Sequence, residues 1–94
     1  MVDLEMFHKS LAREVKQVRV RASQSLLEVQ NETGINIGRI EMGEHSVTIT
    51  TLLMLCDYFN ISLWEIVMRA ETTTEDRQIS EKVHHDRHNE TIKQ

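Results

Sequence analysis

The chain has 94 residues, of which 39% are hydrophobic and 28% are charged, and its formal net charge is -4. This balance is typical of one small globular domain and excludes a disordered chain. The low glycine content and the absence of proline favour helices. A simple DNA-binding domain would be basic, whereas the net charge of this chain is negative.

Cysteine content and the N-terminal residues indicate the compartment. Cys56 is the only cysteine, which excludes an internal disulfide and fits the reducing cytoplasm. Asp3 and Glu5 stand where a secretory signal would have basic residues. The longest apolar run, residues 52–56, is too short to span a bilayer. We therefore expect a cytoplasmic protein that does not associate with membranes.

The first predicted helix begins after Asp3, which is a suitable N-cap. Apolar residues recur at spacings of three and four and share one face: Leu4, Phe7, Leu11, Val15 and Val18. Lys9, Arg13 and Lys16 fall on the opposite face. This basic stripe is typical of a helix face that contacts solvent.

Two short helices are predicted next. The second follows Ser25, with Leu26, Leu27 and Val29 facing inward, and the dipeptide at 33–34 indicates a turn. The third spans residues 36–42 and has isoleucines at positions 37 and 40. A glycine at position 43 is suited to end it in a left-handed conformation.

The fourth helix has the clearest pattern. Thr48 can cap its start, and Asn60 is suited to the left-handed residue at its end. Its predicted apolar face is wide and consists of Ile49, Leu52, Leu53, Leu55, Cys56 and Phe59. Ser62 and Glu65 then form a capping-box pattern, which predicts a fifth helix through residue 68.

The chain becomes polar from Glu71 onward. The three threonines at 72–74 are poor helix formers and predict a linker. Residues 75–94 have one apolar pair at i, i+4, Ile79 and Val83, which predicts a disordered or loosely helical tail. We thus expect a helical domain at 1–70, with 1–10 as an N-terminal extension of the first helix, and a polar tail at 71–94.

Three segments of this pattern resemble one known family. The sequence RIEMG at 39–43 is similar to its R-I-E-x-G, and residues 49–63 match its "leTLlklAkaLgvsl" without a gap, with Cys56 at the small-residue position. Residues 15–19 are similar to its I-x-x-L-R. The family is the Xre, or lambda repressor–Cro-like, helix-turn-helix family. The resemblance covers residues 11–67 and implies an all-α, five-helix lambda-repressor-like DNA-binding domain.

The resemblance also implies one ion pair. In the family, the arginine of the first helix and the glutamate of R-I-E-x-G pair across the core, and these positions are Arg19 and Glu41 here. The periodicity agrees, because Arg19 lies at the border of the buried face, from which its guanidinium could hold a carboxylate bidentately. We expect this pair to be structural.

The third helix would then read bases in the major groove. Asn36 is a candidate to pair with adenine, and Arg39 with guanine or a phosphate. Gly38 would let the backbone approach DNA closely, or else let the helix pack tightly on its neighbours. Ser25 is a candidate phosphate anchor at a helix N-terminus. The following loop adds three further candidates: His45, Ser46 and Thr48.

The sequence departs from the family at three places that bear on base readout. Leu26 follows Ser25 where a glutamine usually opens the second helix. The stretch 26–41 is shorter than usual, at the start of the third helix. The loop at 44–46, Glu-His-Ser, stands where many members have basic or asparagine contacts to phosphates.

Two further features concern partners. Trp64, with Leu63 and Val67, makes the fifth helix more apolar than a helix facing solvent needs to be, which predicts a homodimer contact. Two-fold dimers suit this family, because two reading helices then meet half-sites one DNA turn apart.

His84 and His88 share a helix face but lack a further fixed ligand, so we expect no metal and no cofactor.

Two functions remain open. The first is a homodimeric, sequence-specific transcriptional regulator of the Xre type that binds double-stranded DNA. The second is an antitoxin-like or other protein-interaction module with a degenerate helix-turn-helix, whose tail from Thr72 engages a partner. The acidic charge, the short third helix and the polar tail favour the second. No catalytic constellation is visible and Cys56 lies on an apolar helix face, so we expect no enzyme.

Overall fold

A computed structural model of the chain describes residues 3–43 and 46–93, with side chains described at 3–43 and 46–79. This part of the chain is all-helical and contains five helices. In chain order they are α1 (Leu4–Arg21), α2 (Leu26–Thr33), α3 (Ile37–Glu41), α4 (Ile49–Phe59) and α5 (Leu63–Lys93).

Capping residues determine where several helices begin and end. Asp3 caps α1 and Thr48 caps α4, each by accepting a hydrogen bond from an amide in the first turn, at 2.9 and 3.1 Å. Gly34 and Asn60 follow α2 and α4 in the left-handed conformation, with φ of 77° and 56°. These bounds agree with the caps expected from the sequence at Asp3, Thr48 and Asn60.

The core lies between α1, α4 and α5, and α2 and α3 close one side of it. Its buried apolar residues come from all five helices: Leu11, Val15, Val18, Val29, Ile37, Leu52, Leu55, Cys56, Ile66 and Ala70. α1 and α5 pack antiparallel. The Asp3 amide donates to the Gln78 side chain at 3.1 Å, while Val15 and Ile66 line the same small void nearer the other end of α1.

Several apolar residues expected in the core are exposed instead. They are Leu4 of α1, Leu26 and Leu27 of α2, and Ile49 and Leu53 of α4. The reason is geometric. In α2 only Val29 is buried, and in α4 only Leu52, Leu55 and Cys56 are buried, so an apolar arc wider than the buried side continues onto the surface.

α5 is longer than the sequence pattern predicts. It continues through Lys93, so the expected end near residue 68 and the linker at 72–74 are wrong, and the expected domain boundary after residue 70 falls inside this helix. Thr74 is 0% exposed, and its hydroxyl donates to the carbonyl of Ala70 at 2.7 Å. Packing of α5 against α1 therefore outweighs the low helix propensity of the threonines.

Candidate nucleic-acid interface

α2 and α3 are joined by only three residues, 34–36. Ser25 starts α2 with a reciprocal capping box: its Oγ accepts from the Glu28 amide at 3.0 Å, and the Glu28 carboxylate accepts from the Ser25 amide at 3.0 Å. The hydrogen bond from that amide holds the pKa of Glu28 below its ordinary value. Ser25 is the residue expected to anchor a phosphate, and both its amide and its hydroxyl are thus engaged within the cap.

A buried ion pair joins α3 to α1. The Arg19 guanidinium donates from Nε to Glu41 Oε2 at 2.7 Å and from Nη2 to Oε1 at 3.0 Å, and the two side chains are 12% and 8% exposed. Its Nη1 also donates to the Gln24 carbonyl at 2.8 Å. The hydrogen bond with Glu41 raises the pKa of Arg19. One side chain therefore fixes both the entry to α2 and the end of α3.

A second contact fixes α2 against α4. The Tyr58 hydroxyl of α4 is hydrogen-bonded with the Glu32 carboxylate of α2 and lies beside the Gln24 side chain. The hydrogen bond with Glu32 raises the pKa of Tyr58. Sequence reasoning missed this contact, because Glu32 and Gln24 are 26 and 34 positions away from Tyr58 and no local spacing links the three residues.

Four of the residues predicted to contact DNA line one groove of about 340 Å³ that opens to solvent. The groove lies between the start of α3, the segment before α4 and the first turn of α4. Five of its seven lining residues are polar; the seven are Asn36, Arg39, Ile40, Ser46, Val47, Thr48 and Thr51. The arrangement offers amide, guanidinium and hydroxyl groups from three segments to one ligand.

Two of these residues also shape the backbone beneath the groove. Asn36 is the N-cap of α3 and not a residue within it, since its Oδ1 accepts from the Arg39 amide at 3.2 Å. Thr48 Oγ1 accepts from the Thr51 amide and donates to the Thr51 hydroxyl at 3.0 Å. Both side chains therefore have fixed orientations before any ligand arrives.

The other predicted contact residues do not line this groove. Ser25 lies at the start of α2. Gly38 faces α2, where a Cβ would meet the Leu26 methyl groups at 3.6 and 3.7 Å, which is ordinary van der Waals contact, so the packing there does not require a glycine. His45 lies outside the described residues.

The predicted dimer residues differ in exposure. Leu63 and Val67 are partly buried and pack against the core. Trp64 is 71% exposed, and Met68, one turn further along α5, is exposed as well. Of the three predicted residues, Trp64 is thus the most accessible to a second molecule.

The same residues bear on other kinds of chemistry. At 3–43 and 46–79, no group of three or more histidine, cysteine or acidic side chains could hold a metal ion, and the side chains of His84 and His88 lie outside that range. Cys56 is buried, and burial raises the pKa of its thiol. Among the described helices none is, by itself, long and apolar enough to cross a bilayer.

Known proteins give no further guide to function. No protein-family model matches the chain. No curated protein and no solved structure matches it either.

Proposed function

We propose that the chain is a sequence-specific, DNA-binding regulator of transcription in which α2, the three-residue turn and α3 form a helix-turn-helix. The observation that supports this is the groove at the start of α3, where Asn36, Arg39, Ser46 and Thr48 converge. In helix-turn-helix proteins the start of the second helix meets base edges in the major groove, and such a turn is three to four residues long and often contains glycine.

Each groove residue suits one kind of DNA contact. The Arg39 guanidinium can donate two hydrogen bonds to a guanine or bind a phosphate. Asn36 can donate from its amide nitrogen to a base edge while its oxygen caps α3. The hydroxyls of Ser46 and Thr48 suit phosphate oxygens, which set the register of a protein on DNA. The Arg19–Glu41 pair holds the reading segment in place.

The length of α3 bears on the oligomeric state. Five helical residues are about 7.5 Å long, which is the axial rise of about two base pairs at 3.4 Å each. One copy therefore reads too few bases for a specific site. We propose a two-fold dimer with its contact at Trp64 and Met68 of α5, so that two copies read two half-sites.

Binding to selected duplexes tests this proposal. Bound sequences are first selected from random DNA at low salt, and affinity is then measured by fluorescence anisotropy for the wild type and for Arg39→Ala. We expect Arg39→Ala to weaken binding by about 1–3 kcal/mol, with relaxed preference at one base pair per half-site, if Arg39 reads guanine. If it contacts phosphate, the loss is uniform across sequences. Arg77→Ala, which removes an exposed basic side chain of α5, is the matched control.

Asn36→Asp separates DNA contact from folding. Aspartate caps a helix as well as asparagine does, so the thermal midpoint is expected to stay the same. The substitution removes a donor and places a negative charge in the groove, so DNA affinity is expected to fall. A wild-type protein that binds no duplex at tens of micromolar would overturn the regulator function.

A second function, a protein-interaction module, is favoured by the surface of α2. Leu27 is 65% exposed, Leu26 is also exposed, and the helix has two acidic residues but no basic one. An exposed apolar patch with acidic neighbours suits a protein partner better than a phosphate backbone. Failure of the duplex-binding experiment would support this function.

A further inference from the structure

Positive charge is concentrated in one helix of this acidic chain. α1 contains five basic and two acidic residues, a net charge of +3, whereas the whole chain has -4. From residue 22 to residue 68, Arg39 is the only lysine or arginine, against six acidic residues. A duplex bound at the α3 groove would therefore meet very little positive charge from α2, α3 and α4.

The basic residues of α1 form an exposed stripe. Lys9, Arg13 and Lys16 are spaced four and three apart, and Val20 follows four residues later, so all four lie on one face. All of them are exposed, because the core, α5 and α3 cover the other sides of α1. Glu14, the only acid between positions 9 and 21, is 6% exposed and lines the groove between α1 and α5, away from the face of Lys9, Arg13 and Lys16.

Arg21 extends the stripe toward the end of α1. Together with Arg13, Lys16, Gln17 and Val20 it lines a shallow, solvent-open groove of about 460 Å³. The Nζ atom of Lys9 lies 3.8 Å from Oε1 of Glu5, and both side chains are largely exposed. Arg13, Lys16 and Arg21 have no ion-pair partner among the described residues. Three cations are thus available to an external anion.

The stripe lies beside the end of α3. A Cβ at Gly43 would be 3.6 Å from Lys9 Cα and 3.5 Å from Ala12 Cβ, so the chain leaving α3 rests on the flank of α1. The Arg19–Glu41 pair joins the same two helices about two to three turns further along α1. From Lys9 to Lys16 the stripe is about 10.5 Å long, the axial rise of about three phosphates on one strand.

We propose that the exposed face of α1 formed by Lys9, Arg13, Lys16 and Arg21 is a second DNA-contact surface, which binds the phosphate backbone next to the segment met by the α3 groove. This inference rests on the proposed function. It assigns the two parts of recognition to different helices: α3 discriminates bases, and α1 supplies most of the attraction to phosphates. It also explains how an acidic chain binds a polyanion.

Salt dependence of binding tests the proposal, because each phosphate contact adds about 0.9 to the slope of log affinity against log salt. The triple variant Arg13→Gln/Lys16→Gln/Arg21→Gln is compared with the wild type on the selected duplex. We expect the slope to fall by about 2.7 per protomer, with base preference unchanged. Arg39→Ala, in contrast, is expected either to change the base preference or to remove a single phosphate contact from the slope.

Two controls separate contact from bulk charge and from folding. Lys16→Gln removes one exposed charge within the stripe, and Arg77→Gln removes one exposed charge outside it; only the former is expected to lower the slope. Arg13→Lys/Arg21→Lys preserves the charges and is expected to keep the wild-type slope. Circular dichroism confirms that each variant is helical.

The outcomes are distinguishable. If the wild type binds DNA and the triple variant keeps its slope, the α1 proposal is wrong while the proposed function stands. If the triple variant keeps its slope but loses self-association or binding to an acidic protein, the stripe is a protein-contact surface and the α1 proposal is again wrong. If the wild type binds no duplex, both proposals fail.

Discussion

At the scale of single residues, Arg19 connects α1 to both the turn before α2 and the end of α3, the predicted reading helix. It donates to both carboxylate oxygens of Glu41 and to the carbonyl of Gln24. The side chain of Gln24 is also next to Tyr58 of α4. The turn before α2 is thus held from two sides, and α3 cannot shift without breaking a nearly buried ion pair.

The Arg19–Glu41 pair gives a prediction for stability. Glu41→Ala leaves a nearly buried guanidinium without its carboxylate and is expected to cost on the order of 3 kcal/mol of unfolding free energy. Arg19→Met is expected to cost at least as much, since it also removes the bond to the Gln24 carbonyl. The double variant should cost less than the sum by more than about 1 kcal/mol. Urea unfolding measures all three.

The exposed pair of Arg69 with Glu65 is the matched control. It has the same residue types at the same 2.7 Å separation, but its side chains are 35% and 42% exposed. Its coupling is expected to be about 0.3–0.5 kcal/mol, as for other pairs one turn apart on a helix surface. Additive effects at Arg19 and Glu41 would show that the buried pair does not interact.

The residues that could be predicted from the sequence are those whose role depends on near neighbours. Asp3, Thr48 and Asn60 act at helix ends through contacts within a few positions, and local chemistry is enough to identify them. The capping box of Ser25 and Glu28 was missed although its S-x-x-E pattern is visible. The Tyr58 contact had no such signal.

At the scale of helices, α5 shows where local reasoning stops. Threonine propensity and polar composition predicted a linker after residue 71, but burial of Thr74 against α1 keeps the segment helical. Propensity is a local quantity, whereas this packing joins positions that are 75 apart in the sequence, as between Asp3 and Gln78. Four of the DNA-contact candidates do line one groove, because they lie in two short segments close in the chain.

Two truncations test how far α5 belongs to the folded unit. A protein ending at residue 79 retains Thr74 and Gln78, and its thermal midpoint is expected to equal that of the full chain. A protein ending at residue 70 uncovers the side of α1 on which Thr74 packs, at a cost of about 2–3 kcal/mol. That cost corresponds to a midpoint lower by roughly 10–20 °C in a domain of this size.

Calorimetry or circular dichroism gives both midpoints. Thr74→Val in the full chain serves as a control for the hydroxyl, because it preserves side-chain volume and removes one hydrogen bond within the helix. Equal midpoints for the two truncated proteins would mean that residues 71–79 add no stability. The domain boundary expected after residue 70 would then be right.

At the scale of the whole molecule, the proposed two-fold dimer joins the surfaces described separately above. A dimer doubles the number of α1 stripes and α3 grooves that face one duplex. Because each phosphate contact increases the slope of log affinity against log salt, the contacts of both protomers contribute to that slope. Trp64 supplies the largest exposed apolar side chain of α5. Its contribution to association can therefore be measured apart from the DNA-contact residues.

Trp64→Ser is expected to convert a dimer into a monomer and to reduce the salt slope of DNA binding to about half. Sedimentation velocity at tens of micromolar protein gives the oligomeric state. Met54→Ser, which changes an exposed apolar residue of α4, is the control and is expected to leave the dimer intact. A wild-type monomer, or a Trp64→Ser protein that still dimerises, would contradict the assigned contact.

The pairing of the first described helix with the last has a consequence for biosynthesis. α1 leaves the ribosome before α5, which covers one side of it and begins about 60 residues after α1 begins. At about 5–20 residues per second, the side of α1 that α5 covers stays uncovered for roughly 3–12 s. Chaperones and proteases thus have access to the nascent chain during that interval, and the speed of translation, more than helix formation, sets when this fold is complete.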